Sequence, residues 1–281
     1  MPRQVRRPAA WHMALGERGG SPDLPRRNPM KNVNDLPLDD LIAQARQLVT
    51  HASSVSVLTG AGISAASGVP TYRGSGGLWR GVDAQDVASP EGFRRDPRRV
   101  WQWHNERRMA LKDVRPNAGH AALARLQLAV EARGGRFVLA TQNVDGLHQA
   151  AGSRSVLELH GSILASRCSV CDERREIGSE PVADLPRCSK CGRLMRPAIV
   201  WFGEMLPEDA WLAAAEAAAT GEVFLTVGTS AVVYPAAGLI EIAAGAGART
   251  IEVNLEPTAA STRVGLALHG KAGDILPRIV E

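Results

Sequence analysis

The sequence has no long apolar run and no secretory signal. No stretch approaches the roughly 18 consecutive apolar residues of a membrane-spanning helix, and the arginine-rich beginning of the chain lacks the apolar core of a signal peptide. Cysteine is also scarce, with four residues in 281, which argues against a disulfide-stabilised secreted protein. We therefore expect a cytoplasmic protein with no part in a membrane.

The folded part of the sequence carries no excess charge. The chain has 33 basic and 29 acidic residues, but seven basic and three acidic ones lie within residues 1–35, which leaves 26 of each sign elsewhere. Because nucleic-acid binding needs a basic surface, we expect no specific nucleic-acid partner. Residues 1–35 are rich in arginine, proline and glycine, which predicts a disordered basic tail ahead of a folded region over 36–281.

The four cysteines form two Cys-x-x-Cys pairs. Cys168 and Cys171 are the first pair, and Cys188 and Cys191 follow after sixteen residues. This spacing is typical of a tetrahedral zinc site with four thiolate ligands. Two disulfides or four unrelated thiols are the alternatives, and disulfides would need an oxidising compartment. Because four protein ligands leave no open position on zinc, we expect the site to be structural.

Short runs of β-branched and apolar residues alternate with helical patterns. The runs predicted as strands are 55–58, 137–140, 156–159, 223–227 and 250–254, and helices are predicted over 208–220 and 235–246. This alternation predicts an α/β fold built on a parallel sheet. Segments 81–135 and 162–199 break the alternation, and we expect them to form a smaller module beside the sheet.

A glycine-rich turn follows the first predicted strand. Gly60, Gly62 and Ala65 form a Gly-x-Gly-x-x-Ala pattern, which is typical of a turn that holds the phosphates of a dinucleotide. Gly62 would then let the backbone approach the pyrophosphate. The pattern alone is weak, because no acidic residue ends a strand about twenty positions later; Asp83 and Asp86 lie near that distance in a loop-like context.

Polar residues also follow three other predicted strands. They form the segments 142–145, 228–230 and 254–256. Ligands of open parallel sheets bind outside the carboxyl ends of the strands, so these segments and the glycine-rich turn predict a nucleotide site at one edge of the sheet. Each segment by itself is as well explained by a turn or a helix cap.

Together these segments resemble the sirtuins, a family of NAD-dependent protein lysine deacylases. The resemblance rests on the two cysteine pairs and on residues 60–73, 141–148, 159–161, 200–204, 227–230 and 254–256, which follow the family's order. It implies a Rossmann-like parallel sheet with a smaller zinc-ribbon and helical module. The implied division is a Rossmann-like part over about 36–80, 136–161 and 200–281, a helical module over about 81–135 and a zinc ribbon over about 162–199.

The resemblance also implies a reaction. In sirtuins the amide oxygen of an acyl-lysine attacks the nicotinamide ribose of NAD, nicotinamide leaves, and a histidine then acts as general base on a ribose hydroxyl. The products are free lysine and acyl-ADP-ribose. The matching base is His160, and the ordinary pKa of histidine, about 6.5, suits this role. His120 and His148 are expected to be structural. NAD, one structural zinc ion and acylated-lysine protein substrates are the expected cofactors and partners.

Further residues are assigned to NAD and to the substrate by the same resemblance. Tyr72 replaces the usual phenylalanine of the family, and its ring can still cover the nicotinamide site. The expected NAD contacts are Gly60, Ala61, Gly62, Ile63, Ser64, Tyr72, Arg73, Trp79, Gln142, Asn143, Val144, Asp145, Gly228, Thr229, Ser230, Asn254, Leu255, Glu256 and Ala272. The backbone of Val200, Trp201, Phe202 and Gly203 would receive an extended substrate peptide as an added strand.

The choice of acyl group is indicated by one helix. A bacterial and mitochondrial sirtuin subgroup that removes malonyl and succinyl groups carries Tyr-x-x-Arg there, and this chain, which resembles that subgroup, has His104-x-x-Arg107. Positions i and i+3 share a helix face, and Arg107 can bind a carboxylate with two donors. His104 can donate a hydrogen bond and become cationic beside an anion. Small residues over 74–77 would leave the pocket roomy. An exposed basic helix is the alternative.

Two other functions are weighed against deacylation. The same NAD site would support mono-ADP-ribosyl transfer to protein if acyl-lysine were not the nucleophile. A zinc and nucleotide-binding module without enzymatic activity is the second alternative. The neutral folded region argues against a DNA-binding role, and His160, Asn143 and Asp145 together favour catalysis. The oligomeric state is not predicted.

Overall fold

The computed structural model describes Asn34 and residues 36–71, 78–79, 82–182 and 184–281. The predicted tail lies outside the described residues except for Asn34, whose side-chain oxygen accepts a hydrogen bond from the amide of Ala267 at 2.9 Å. Packed structure therefore begins before residue 36. Tyr72, Arg73, the segment 74–77 and the side chain of Trp79 also lie outside the described residues.

Six parallel strands form the main sheet, in the order β11-β10-β9-β1-β4-β5. These strands are β1 (Ser54–Thr59), β4 (Arg136–Thr141), β5 (Leu157–Glu158), β9 (Val223–Val227), β10 (Arg249–Asn254) and β11 (Leu266–His269). Thr59 pairs in register with Thr141 on one side and with Val227 on the other. The carboxyl ends of the central strands are therefore level. This confirms the predicted α/β fold with a parallel Rossmann-like sheet.

Helices cover both faces of the sheet. α1 (Leu38–His51), α6 (Ala118–Ala132) and α10 (Ala272–Val280) pack on one face, and α8 (Glu208–Thr220) and α9 (Gly238–Gly245) pack on the other. Each face of the sheet has its own hydrophobic core. Because successive side chains of a strand point to opposite faces, β1 contributes to both cores: Val57 packs in the first and Leu58 in the second. None of the helices in the described ranges is long and apolar enough to cross a membrane.

The predicted elements occur with shifted ends. The strand predicted over 156–159 has two paired residues, and the helix predicted over 235–246 begins at Gly238. Strand β11 and helix α10 were not predicted. β11 has four residues, and α10 contains Pro277, a residue that normally argues against a helix interior.

The smaller module combines an antiparallel sheet with short helices. Its strands are β6 (Gly161–Cys168), β7 (Arg174–Glu176) and β8 (Met195–Ile199), in the order β7-β6-β8. Between β1 and β4 the chain also forms β2 (Leu78–Trp79) and β3 (Val82–Asp83), which pair as a separate two-stranded sheet, and the helices α3 (Ala84–Val87), α4 (Pro90–Arg95) and α5 (Pro97–Ala110). Buried residues of α4 and α5 share a core with Cys168, Cys188, Met195 and Trp201, and the indole Nε1 of Trp101 donates to the carbonyl of Met195 at 3.0 Å.

Helix α6 packs with the main sheet rather than with this module. Ala122, Leu123, Leu126 and Val130 lie in the same core as the strand residues and α1. The sequence predicted helical structure in the segment 81–135, but it did not show which partner each helix packs against. We therefore propose that the helical module ends before Asn117 instead of at residue 135.

Candidate functional site

The turns after β1 and β9 meet at the carboxyl edge of the sheet. The amide of Gly60 donates to the carbonyl of Val227 at 2.9 Å, and the amide of Gly62 donates to the carbonyl of Gly228 at 2.7 Å. A Cβ atom on Gly62 would lie 2.6 Å from the Cα of Gly228. The two turns can therefore contact each other only because residue 62 has no side chain. The amide of Gly62 is bound to Gly228 within the protein, and the expected contact of Gly62 with the pyrophosphate stays a prediction.

A buried polar network lies behind the glycine-rich turn. Ser64 ends the short helix α2 (Ala61–Ser64), and its hydroxyl donates to a carboxylate oxygen of Asp145 at 2.8 Å. The side-chain amide of Asn143 donates to Gly60 O at 3.1 Å and to the Ser64 hydroxyl at 3.2 Å. Asn143 and Asp145 are each only 8% exposed. The structure therefore brings these expected contacts together in fixed orientations.

His160 stands between β5 and β6 at the same edge. Its Nδ1 lies 3.0 Å from the carbonyl oxygen of Gln142. A carbonyl only accepts, so Nδ1 carries the proton and Nε2 keeps its lone pair. Burial lowers the pKa of His160, and the hydrogen bond to Gln142 opposes that shift in part. The imidazole is therefore neutral at pH 7 and able to accept a proton at Nε2.

His120 and His148 are enclosed by protein groups. Nε2 of His148 lies 2.9 Å from the hydroxyl of Thr59, and Nε2 of His120 lies 3.3 Å from that of Ser64. His148 follows Gly146 in the short helix α7 (Leu147–Ala150). Burial lowers the pKa of both rings, that of His148 to about 3. Both side chains are only 0–1% exposed. They therefore support the site from within the protein.

The backbone of His160 contacts the segment expected to receive the substrate. The amide of Val200 donates to the carbonyl of His160 at 2.9 Å. The amides of Trp201 and Phe202 donate to Glu204 and Ala88, at 2.8 and 3.0 Å. Three of the four amides of the segment 200–203 are thus used within the protein. A peptide that adds as a strand would therefore form hydrogen bonds mainly with the carbonyl oxygens of this segment and with the amide of Gly203.

Polar contacts link the strand ends on the opposite side of the glycine-rich turn. The side-chain amide of Gln142 donates to the Thr229 hydroxyl at 2.9 Å, and the side-chain amide of Asn254 donates to the Thr229 carbonyl at 3.0 Å. The remaining expected NAD contacts at this edge differ in exposure: Ser230, Leu255 and Glu256 are exposed, Val144 and Gly228 are half-buried, and Ala272 is buried at the start of α10.

The four cysteines converge on one point of the smaller module. All four sulfur atoms lie within 4.8 Å of one another, with Sγ–Sγ distances of 3.4 Å between Cys168 and Cys191 and 3.6 Å between Cys171 and Cys188. Four thiolates at about 2.3 Å from one zinc ion are spaced by about 3.8 Å in a tetrahedron. The amides of Val170 and Cys171 donate to the Cys168 sulfur at 3.4 Å. The cluster fits one structural zinc ion.

His104 and Arg107 lie on the inner side of α5. His104 is 1% exposed, and its Nδ1 lies 2.8 Å from the carbonyl of Val100. Burial lowers its pKa to about 3, and the charges of Arg107 and Arg196 add to that effect. Nδ1 therefore holds the only proton, so His104 would donate to an acyl group only if Nε2 were protonated. The guanidinium carbon of Arg107 lies 3.1 Å from the centroid of the Trp103 ring.

Sequence reasoning missed two charged residues beside the segment 200–203. Arg196 is 5% exposed and binds the carboxylate of Glu204 through both terminal nitrogens, at 2.5 and 2.9 Å. Glu204 lies in the segment 200–204, which contributes to the family resemblance, but the resemblance assigned it no role. No spacing rule predicts the pair, although an arginine in an otherwise apolar buried strand indicates a partner.

Comparisons with known proteins show the family of this chain. The model of the Sir2 family matches residues 60–235. NAD-dependent protein deacylase 2 of Pyrobaculum aerophilum is 50% identical over 86% of this chain and 93% of its own length, and the NAD-dependent protein deacylase of Thermus thermophilus is 47% identical over 81% and 89%. The crystal structure of a Sir2 homologue in complex with NAD has 40% identity and a TM-score of 0.78 over 85% of this chain and 92% of its own. The chain therefore belongs to the Sir2 family, the sirtuins.

Proposed function

We propose that this sirtuin is an NAD-dependent protein lysine deacylase that releases nicotinamide and acyl-ADP-ribose. The setting of His160 supports this most strongly, because Nδ1 donates to Gln142 while burial lowers the pKa of the ring. The neutral imidazole suits a general base at physiological pH. A protein as substrate is supported by a Sir2 structure bound to a myristoylated histone peptide, which is 39% identical to this chain with a TM-score of 0.67.

NAD would bind across the carboxyl edge of the sheet. When bound, NAD supplies the ribose carbon that the acyl oxygen attacks and the nicotinamide that leaves. The orientation of Asn143 and Asp145, both held by Ser64, suits the wall of a nicotinamide pocket. Gln142 and Asn254 converge on Thr229 and would meet the rest of the dinucleotide. The close packing of Gly60 and Gly62 against Gly228 and Thr229 gives these groups a rigid support.

His160 would hold the proton taken from a ribose hydroxyl at Nε2. The resulting imidazolium would keep its hydrogen bond from Nδ1 to the carbonyl of Gln142. An oriented acceptor of this kind stabilises the charged ring and fixes its direction. Zinc, held by the four cysteines, would act only through structure, because its coordination is filled by protein sulfur.

The acyl preference that we propose is for short acidic groups, with acetyl-lysine also accepted. Arg107 is half-buried on the same helix face as His104 and offers a planar cation for a distal carboxylate. The charges of Arg107, Arg196 and Arg108 lower the pKa of His104, and the charge of Arg107 would attract an anion. A carboxylate entering this pocket would raise the pKa of His104, and protonation at Nε2 would give a second donor.

We also infer that the protein works in the cytoplasm. Four cysteine thiols gathered for metal binding require a reducing environment, which that compartment maintains.

Product analysis tests the proposed function. The purified protein is incubated with peptides bearing acetyl-, malonyl- or succinyl-lysine, with and without NAD, and the products are identified by mass spectrometry. NAD-dependent loss of the acyl group with formation of acyl-ADP-ribose is the expected result. ADP-ribose attached to protein, with every acyl-lysine left intact, would contradict it and favour ADP-ribosyl transfer.

A further inference from the structure

We propose that Glu204 and Arg196 are positioning residues that set the affinity for the acylated protein substrate. The inference rests on the proposed function, because it requires that the acylated protein substrate binds the segment 200–203. Neither residue belongs to the expected NAD or zinc sites. Their role is to hold the shape of that segment from behind.

The two side chains form a buried ion pair with two parallel hydrogen bonds. Nη1 and Nη2 of Arg196 donate to Oε1 and Oε2 of Glu204 at 2.5 and 2.9 Å. The side chains are 6% and 18% exposed. The guanidinium raises the stability of the charged carboxylate, and the pKa of Glu204 is lowered although its burial acts in the opposite direction. Such a pair is geometrically specific, because a planar fork meets a planar carboxylate.

The pair is bonded to the backbone of the segment at two points. Oε2 of Glu204 accepts from the amide of Trp201 at 2.8 Å, and Nη2 of Arg196 donates to the carbonyl of Ile199 at 2.7 Å. The guanidinium carbon of Arg196 also lies 3.3 Å from the centroid of the Trp201 ring. The amide of Glu204 closes the turn onto the carbonyl of Trp201 at 3.0 Å. The path of the backbone from Ile199 to Glu204 is thus fixed by two side chains.

This path decides what a substrate meets. Three of the four amides of the segment 200–203 are bonded inside the protein, so a peptide depends on the direction of the remaining carbonyl groups and of Gly203. Between the two bonded points lies Val200, whose amide donates to the carbonyl of His160 at 2.9 Å. A shift of the segment would therefore misplace the acyl-lysine relative to His160, whereas the NAD contacts on β1, β9 and β10 would stay in place.

The charge balance makes the pair sensitive to substitution. Arg167 also donates to Oε1 of Glu204, at 3.2 Å, so one carboxylate serves two guanidinium groups. Loss of that carboxylate leaves Arg196 charged and buried without an acidic partner among the described residues. Unpaired buried charges are unfavourable and draw in water or move. Either response would change the backbone at Ile199 and Trp201.

Three variants test the inference. Glu204→Gln keeps the shape of the side chain and removes its charge. The double variant Arg196→Met with Glu204→Gln removes both charges, so that no unpaired charge threatens folding. Asp184→Asn is the matched control, because it makes the same carboxylate-to-amide change in an exposed pair with Arg98. Circular dichroism verifies that each variant is folded.

The readout is binding, measured separately from turnover. The Kd of a fluorescent acetyl-lysine peptide is determined by anisotropy in the presence of ADP-ribose, and the Kd of ADP-ribose by calorimetry. We expect the peptide Kd to rise tenfold or more in both Glu204 variants, while the Kd of ADP-ribose changes less than twofold and Asp184→Asn behaves as wild type. A residue that serves only stability would not separate the two constants.

Two outcomes would overturn the inference. One is a folded double variant whose peptide Kd lies within twofold of the wild-type value. The other is a parallel loss of peptide and ADP-ribose binding, which would indicate a general structural role. The proposed function fails by a different observation, namely a wild-type protein that binds the peptide and converts none of it with NAD. In that case, comparison of the peptide Kd between the wild-type protein and the variants still shows whether Arg196 and Glu204 set the affinity for the peptide.

Discussion

The amide of Val200 donates a hydrogen bond to the carbonyl oxygen of His160 at 2.9 Å. The proposed general base and the segment that would receive the substrate are therefore joined directly through the backbone. The side chain of His160 is held from the other direction by the carbonyl of Gln142 at 3.0 Å. The geometry of His160 thus depends on Gln142, which follows β4, and on Val200, which follows β8.

Gly161→Ala should disrupt this joint. Gly161 has φ +76, and a Cβ atom there would lie 2.1 Å from the carbonyl oxygen of Ala198. The backbone must move apart where β6 and β8 pair, so we expect the deacylation rate to fall at least tenfold. Gly178→Ala is the matched control, because Gly178 has φ +62 and a Cβ atom there would meet none of the described residues within 4 Å beyond its chain neighbours. Strain of about 1–2 kcal/mol is shared by both variants, so equal losses of activity would contradict the prediction.

Removal of zinc should disorder the smaller module before the main sheet. Trp101 donates to Met195 and packs in one core with Cys168 and Cys188, so chelation should shift its fluorescence and abolish deacylation. Metal analysis should find one zinc per chain, and less in Cys191→Ala but not in the neighbouring Ser189→Ala. Full activity in a metal-free protein would show that zinc does not support this fold.

Arg107→Met should reduce desuccinylation selectively. The substitution removes the cation and keeps much of the side-chain length, and a lost charged hydrogen bond is worth about 1.5–3 kcal/mol, or roughly a tenfold to hundredfold rise in KM. KM for the acetyl-lysine peptide should stay within twofold. Arg98→Met is the control, because the Arg98 side chain on the same helix is 74% exposed. An equal change for both acyl groups would mean that Arg107 does not read a carboxylate.

Stability should fall as pH drops below about 6.5, in part because of His148. Burial lowers the pKa of folded His148 to about 3, whereas the unfolded chain takes up the proton near 6.5. The unfolded state then binds more protons, so the free energy of unfolding should fall by about 1.4 kcal/mol per pH unit from this residue. Urea unfolding at pH 7.5, 6.0 and 5.0 measures the slope. His148→Gln should reduce this slope, whereas His51→Gln, at an exposed position, should leave it unchanged. If both variants keep the wild-type slope, His148 is not the cause of the pH dependence.

Local patterns in the sequence predicted much of the fold and the zinc site. The cysteine pairs and the strand runs are such patterns, because ligand spacing and residue type carry the signal within a few positions. Strand β11 was not predicted because it has only four residues, and helix α10 was not predicted because it contains Pro277. Helix α6 packs with the main sheet, and its helical pattern alone did not reveal this neighbour.

The contacts of the site were harder to predict. Residue chemistry alone does not distinguish His160 from the other histidines, and only the family resemblance did so. The bond between Gly62 and Gly228 and the pair between Arg196 and Glu204 join positions whose proximity is created by the fold. The sequence shows a glycine after a strand and an arginine in an apolar strand. Both features indicate that a partner is needed, but neither identifies the partner residue.

The most direct test of the central claim compares His160→Ala with the wild-type protein. The variant is assayed for peptide deacylation with NAD by mass spectrometry and for ADP-ribose affinity by calorimetry. Loss of a general base costs about 10²–10⁴-fold in rate, so deacylation should fall by that factor while the Kd of ADP-ribose stays within about threefold. Deacylation within tenfold of the wild-type rate would contradict the assignment of His160 as the base.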